Sequence, residues 1–324
     1  MWKPSGITIL SEDDVRSVLT PTDAMKIVTA AFTAVSTGDA RNFPIVREVL
    51  PPTIFGIKSG SARSLEILGL KAGGAFPNNF AIGAPAHCST IILFDPNFGN
   101  VCALVAGNYV TAVRTAAAAA LSISLMSRPD ANSLGIIGCG AQAEAHLRAA
   151  LLARPFSTVR LFNRTRDRAN NLKRLFAGQS NIIVEADAEA VSRQSDTIIT
   201  LTSAREAVVQ DDWIRPGTHL ACMGADSAGK QEIAPTLLKR ARIFTDDLMQ
   251  AITVGECQSA HRAGLISDAD IRGTLGDILN GIARGRENSS EVTLYDGTGV
   301  ALQDLFAAKF ALRRLNENFD HSNK

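Results

Sequence analysis

The spacing of apolar residues changes character twice along this chain of 324 residues. A short apolar run at 7–10 reads as a strand. Two stretches with apolar residues three and four apart follow it. Ser11-Glu-Asp-Asp opens the first as a capped helix with early acids. The second runs from a Thr22 cap, with Ala24, Ile27, Val28, Ala31 and Phe32 on one face and a stop at Gly38. From Arg41 to about Leu104 the pattern shortens to β-like runs cut by Pro and Gly, at 45–50, 54–58, 68–75 and 89–95, which predicts an antiparallel sheet. Residues 109–126 are helical in pattern, and Arg128-Pro-Asp-Ala-Asn132 breaks the chain.

Beyond that break, strands and helices alternate. Apolar strands fall at 134–138, 158–163, 181–185, 196–202, 218–223 and 242–246; helical periodicity falls at 141–153, 165–177, 187–193 and 232–240. Such alternation with short loops is the signature of a doubly wound parallel sheet. A further helix is predicted at 269–284. A last one at 298–316 returns to the first domain. The expected fold class is α/β: a Rossmann-type doubly wound parallel sheet at 128–299, plus a discontinuous α+β domain made of 1–127 and 300–324.

Chemistry enters first at the turn between 134–138 and 141–153. There Gly138-x-Gly140-x-x-Ala143 leaves an apolar strand and enters a strong helix former. Gly138 permits the tight turn, and Gly140 lets the backbone approach a pyrophosphate. The phosphates would sit at Ala141 and Gln142, against the unpaired N–H groups of a helix N-terminus. In this context the motif predicts a dinucleotide site. The second strand ends in Asn163-Arg164-Thr165-Arg166, with no acid at its tip for a ribose 2′-hydroxyl. Two guanidiniums lean toward the 2′-phosphate of NADPH. NADH stays open, because the same residues also suit a solvated helix start capped by Thr165.

Composition removes several alternatives. Net charge is +1, so no basic field argues for nucleic acid or an anionic membrane. Apolar residues make up 46% and charged residues 20%, as in a soluble globular protein. Cysteines 88, 102, 139, 222 and 257 show no C-x-x-C spacing and read as reduced thiols. No signal-peptide core opens the chain and no uninterrupted apolar run approaches a bilayer's span, so the expected location is cytoplasmic. The five histidines show no metal-ligand spacing, and no metal site is expected. Four charged residues interrupt apolar or small-residue text: Arg47, Lys71, Arg114 and Asp226. Glu48 adjoins Arg47, but on a strand it points to the other face.

These residues sit in ordered motifs: Leu68-Gly-Leu-Lys71 before Phe76-Pro-Asn-Asn79, Thr111-Ala-Val-Arg-Thr-Ala-Ala117, the glycine turn, Gly224-Ala-Asp-Ser-Ala-Gly-Lys-Gln-Glu232, and Tyr295-Asp-Gly-Thr-Gly-Val-Ala-Leu-Gln-Asp304. Over nearly its whole length the chain resembles the ornithine cyclodeaminase/mu-crystallin family. The resemblance implies that Arg47 and Arg114 hold a substrate α-carboxylate. It implies that Lys71 contacts that carboxylate or polarises the reacting centre, and that Asp226 handles protons at the amine or imine. It places Thr115, Thr202, Gly224 and Asp296 among the cofactor contacts, Asp296 being equally suited to an Asx turn. It also implies a homodimer paired through the first, substrate-binding domain.

One position departs from the ornithine-converting branch. Those enzymes carry a Glu for ornithine's distal ammonium where this chain has Lys58, in Ile54-Phe-Gly-Ile-Lys-Ser-Gly60. A lysine repels a cationic tail and attracts an anionic one. The expected substrate is therefore an imino dicarboxylate, with iminosuccinate reduced to L-aspartate as the smallest natural candidate. Reduction of cyclic ketimines such as pyrroline- or piperideine-2-carboxylate, ornithine cyclodeamination and alanine dehydrogenation remain open on the same residues, as does a solvent-facing Lys58.

Overall fold

The computed structural model describes residues 6–322, so the start of the segment for which no signal-peptide core is expected lies outside the described residues. The chain forms two units. One takes the chain up to Arg114 and again from Val300; the other is Thr115–Gly299.

In the first unit, β1 (Thr8–Leu10) leads into α1 (Glu12–Val18) and α2 (Pro21–Ser36). Both helices start on reciprocal caps: Ser11 with Asp14, and Thr20 with Asp23. Thr20 therefore replaces the Thr22 cap expected above. Pro21 belongs in the first turn, where its missing N–H costs nothing, and Asp23 stands three residues after Thr20, as a capping box requires. Strands β2 (Arg41–Asn42), β3 (Val46–Leu50), β4 (Thr53–Ala62), β5 (Ile67–Ala75), β6 (His87–Phe94) and β7 (Val101–Ala106) follow; β7 was not among the runs read from the sequence. They pair in the order β1-β7-β6-β5-β4-β2, with β3 also on β4, and only the β1–β7 pair is parallel.

The helix α3 (Asn108–Met126) carries the chain into the second unit. The expected boundary at 128 is thus displaced into α3, because this helix runs without a break through the point where the units divide. By length and composition α3 could cross a membrane, a match hidden from a scan for uninterrupted apolar runs by Arg114; 78% of its apolar window is buried inside the protein.

The second unit alternates as expected: β8 (Ser133–Ile137), α4 (Ala143–Ala153), β9 (Thr158–Phe162), α5 (Arg166–Leu175), β10 (Asn181–Val184), α6 (Ala188–Gln194), β11 (Thr197–Thr200), β12 (His219–Cys222), α7 (Pro235–Arg240), β13 (Ala241–Thr245), α8 (Leu248–Thr253), α9 (Gln258–Arg262), β14 (Ile271–Thr274), α10 (Leu275–Leu279) and β15 (Val292–Asp296). All eight strands are parallel, in the order β10-β9-β8-β11-β12-β15-β13-β14. The chain reverses its direction of travel across the sheet between β8 and β11, where open α/β sheets bind ligands. Apolar clusters cover both faces, one around Ile137, Ile198, Leu220 and Leu294, the other around Leu134, Ile136, Leu161 and Ile199.

The helix expected at 269–284 is cut down to α10: Ile271, Leu275, Ile278 and Leu279 carry a helical spacing, but Gly273 takes φ +135° within β14, and Thr274 with Asp277 caps the short helix that follows. The buried strand β15 was read only as a motif.

The last helix, α11 (Ala301–Ser322), belongs to the first unit and packs on β4, β5 and β6. Gly69 on β5 permits this approach: an added Cβ would lie 2.5 Å from the Ile92 carbonyl oxygen and 2.8 Å from Leu305 Cδ2. Gly69→Ala is expected to cost about 1–3 kcal/mol through overpacking. The check is the midpoint of chemical denaturation; an unchanged midpoint would contradict the close packing.

Candidate active site

Strand pairing gathers the cations of the first unit. Lys58 on β4 stands directly opposite Lys71 on β5, and Arg47 on β3 stands opposite Gly56. Residues two apart on a strand share a face, so Arg47, Lys58 and Lys71 occupy one face of the sheet. Arg47 lies over Gly56, whose absent side chain would come within 3.9 Å of its Nε. Exposed Glu48 pairs with Phe55 on the other face. Directly opposed like charges on neighbouring strands are unfavourable. The sheet therefore concentrates positive charge where the sequence assigns substrate binding.

Part of that charge is met by an acid the sequence reading passed over. Asp304, fully buried near the start of α11, approaches Lys71 Nζ at 2.8 and 2.9 Å and accepts from Arg114 Nε at 3.0 Å. Gln303 accepts from the Arg114 Nη1 nitrogen at 2.9 Å, and Thr111 accepts from Lys71 at 3.2 Å. Burial pulls the Lys71 ammonium down to about 7; Asp304 opposes that shift, while Arg114 and Lys58 add to it. Burial pushes the Asp304 carboxyl up, but Arg114 and Lys71 outweigh it and hold the group below its ordinary range. Arg114 does not present an open guanidinium fork, since Nε and Nη1 are already engaged within the protein. The signal that could have found Asp304 was present: an acid inside the apolar text Ala301-Leu-Gln-Asp-Leu-Phe-Ala-Ala308.

In the second unit the glycine turn has the form a dinucleotide needs. Gly138 takes φ +102°, and a Cβ there would meet the backbone of Leu201 at 2.8 Å. Gly140 and Ala141 are exposed, Gly140 has open space where a side chain would stand, and the N-cap Gln142 makes no side-chain cap bond. The first N–H groups of α4 thus lack a capping side chain, as an anion site requires. Asn163 accepts from Cys139 N–H at 2.9 Å and braces the turn. Arg164, Thr165 and Arg166 are exposed, and Thr165 begins α5 without a side-chain cap bond. These residues fit a dinucleotide with its pyrophosphate at Gly140–Gln142.

Carboxylates brace the loops at the carboxyl edge of this sheet. Buried Glu232 accepts from Thr200 Oγ1 at 2.7 Å, Thr202 N–H at 2.6 Å and Gly224 N–H at 2.8 Å, which ties together two of the sequence-assigned cofactor contacts. Buried Glu256 accepts the N–H groups of Glu232 and Ile233. Burial raises both carboxyls, and the nearby Glu232 pushes Glu256 up further. Asp296, at the end of β15, is also fully buried. It accepts from Cys257 N–H at 3.0 Å, its Oδ1 has no hydrogen-bond partner among the described residues, and burial pushes it up to about 7. Asp226 is half-exposed and pairs with Lys230 at 2.6 Å. Thr115 is buried in α3. Among the described residues no group of three or more His, Cys, Asp or Glu side chains is arranged for a metal ion, and all five cysteines are free thiols.

Fold and turn together define a dinucleotide-binding α/β protein with a cationic partner unit. Residues 7–318 match the model of the ornithine cyclodeaminase/mu-crystallin family, and the chain belongs to that family. It is 39% identical over 303 residues to the iminosuccinate reductase of Paracoccus denitrificans, covering 93% of this chain and 94% of the relative. The solved structure of that reductase, in complex with NAD+, superposes with a TM-score of 0.90 at 36% identity, covering 96% of this chain and 97% of the other. A dimeric archaeal alanine dehydrogenase with bound NAD superposes with a TM-score of 0.92 at 31% identity, over 96% of this chain and 97% of that one.

The raised Asp296 carboxyl sets a pH dependence. Its folded value lies above its unfolded one, so its contribution to stability is present at low pH and is lost as pH rises from about 4 to about 7. Asp296→Asn is expected to be increasingly more stable than the parent across that window, by up to about 4 kcal/mol, and constant above it. Thermal unfolding from pH 4 to 8 reads the difference; a flat difference would show that Asp296 is not held neutral.

Proposed function

We propose that this chain reduces an imino dicarboxylate, with iminosuccinate the smallest example, to the corresponding L-amino acid. The chain is an NAD(P)-dependent oxidoreductase acting on CH–NH2 or C=N groups. The carrying observation for the dicarboxylate is Lys58 standing opposite Lys71, on the face shared with Arg47 and beside the Arg114–Asp304 pair. Asp304 is one carboxylate shared by two of these cations, Lys71 and Arg114. A ligand with two carboxylates balances more than a ligand with one.

In this reading Arg47 and Arg114 hold the α-carboxylate and Lys58 the distal one. A bound reduced nicotinamide supplies the hydride for the C=N carbon. That carbon becomes electrophilic when its nitrogen is protonated, and Lys71, buried and poised near pH 7, gives up the proton. Asp226, held by Lys230, exchanges protons at the nitrogen. Hydride plus proton converts imine to amine, so atoms and charge balance. Gly138, Gly140, Ala141 and Gln142 take the pyrophosphate, and Arg164 with Arg166 takes a 2′-phosphate, which favours NADPH. The chain acts as a homodimer through its first unit, where Ile9, Val46, Val49 and Leu50 expose apolar side chains; light scattering should give twice the 34.4 kDa chain mass.

Initial rates of NADPH and NADH oxidation test the reading with oxaloacetate, pyruvate or glyoxylate, each with ammonia, beside cyclic ketimines. Oxaloacetate is expected to give the highest kcat/KM, and NADPH to be preferred over NADH. Lys58→Ala should raise KM for the dicarboxylate about tenfold or more, the loss of one charge-assisted contact, and leave pyruvate unchanged. Equal turnover of the monocarboxylates, indifferent to Lys58→Ala, would remove the dicarboxylate.

A further inference from the structure

Lys71 and Arg114 meet on one buried carboxylate to which the roles above give no part. We propose that Asp304, assisted by Thr111, is a positioning residue that orients Lys71 so that its dissociable proton faces the substrate nitrogen. This rests on Lys71 being the proton donor of the proposed reduction.

The argument is one of valence. Lys71 Nζ approaches the Asp304 carboxylate at 2.8 and 2.9 Å and donates to Thr111 Oγ1 at 3.2 Å. The Thr111 hydroxyl donates its own proton to the Gly107 carbonyl at 2.7 Å, so toward Lys71 it can only accept. Nζ is tetrahedral. Cε, Asp304 and Thr111 occupy three positions and leave one. In the ammonium that position carries the third N–H; in the neutral amine it carries the lone pair. The proton that comes and goes at Lys71 is therefore the one turned away from both fixed partners. Asp304 is locked in its turn, because Arg114 Nε reaches Oδ1 at 3.0 Å while Arg114 Nη1 is held by Gln303, whose Oε1 also takes the Val300 N–H.

Three charged groups face Lys71: Asp304 from α11, Arg114 from α3 and Lys58 from β4. Only Asp304 favours the protonated form. Without it, burial and the two remaining cations all act to strip the proton.

The experiment uses full-length Asp304→Asn, Asp304→Glu and Thr111→Val with bound cofactor. It reads the pH profiles of kcat and kcat/KM, and also the pH dependence of Lys71 acetylation by trace acetic anhydride, quantified by peptide mass spectrometry. Asp304→Asn is expected to move the alkaline limb and the acetylation midpoint together toward acid by about one pH unit or more. Asp304→Glu, which keeps the charge and shifts its position, should leave the limb in place while lowering kcat about tenfold with little change in KM. A folded Asp304→Asn enzyme whose limb and midpoint do not move would overturn the proposal, since a merely structural role lowers activity evenly across pH. If Asp304→Asn does not fold, Thr111→Val decides: a loss in kcat of about tenfold at constant KM supports the orientation, and parental kcat overturns it. Absence of any imino-acid reduction by the parent would sink the proposed function and the substrate-facing role with it, whereas unmoved acetylation midpoints beside intact reduction would sink the Asp304 role alone.

Discussion

Two cations and one carboxylate share a dry space in the first unit, and the rest of that unit is arranged to make this tolerable. An unpaired ammonium or guanidinium in such a place would cost several kcal/mol. Asp304 meets both Lys71 and Arg114, and small residues on the sheet let α11 come close enough to deliver it. Lys58 faces Lys71 across the strand pair, and Arg47 shares their face. In the proposed reading this cluster of cations receives an anionic ligand. Burial, with Arg114 and Lys58 adding to it, brings Lys71 into the range where proton transfer is useful at neutral pH.

The second unit solves a different problem by similar means. Its cofactor turn needs N–H groups left without capping side chains at the start of α4, and a backbone held still around them. Asn163 braces the turn from β9, and Glu232 binds the loops after β11 and β12 through Thr202 and Gly224. Glu256 in turn holds the backbone of Glu232. Glu232 and Glu256 are buried acids with no cation among their hydrogen-bond partners in the described residues. Their burial costs stability and gives in return loops with little freedom.

What could be read from the sequence follows from how local each signal is. The βα alternation, the glycine turn and the Ser11 cap are written in consecutive residues, and they stand in the structure where the pattern put them. The sites of error are equally specific. Gly273 keeps Ile271 out of the short helix that holds Leu275 and Ile278, and α3 continues through a division of units that leaves no mark in its apolar pattern. Thr20 and not Thr22 is the cap, because Pro21 already takes the first helical position. Lys58 and Lys71 could be named separately, but their opposition depends on strand register, which one sequence does not print. Asp304 stands 233 positions from Lys71. No local pattern announces a partner at that separation, and only the unusual acid in an apolar helix hinted at it.

A crystal structure of the chain with oxidised cofactor and L-aspartate tests the central claim most directly, because it shows what the cationic face touches. The account predicts the side-chain carboxylate within hydrogen-bonding distance of Lys58 Nζ and the α-carboxylate on Arg47 and Arg114. A bound aspartate whose carboxylates leave Lys58 in solvent, or that binds elsewhere, would contradict it.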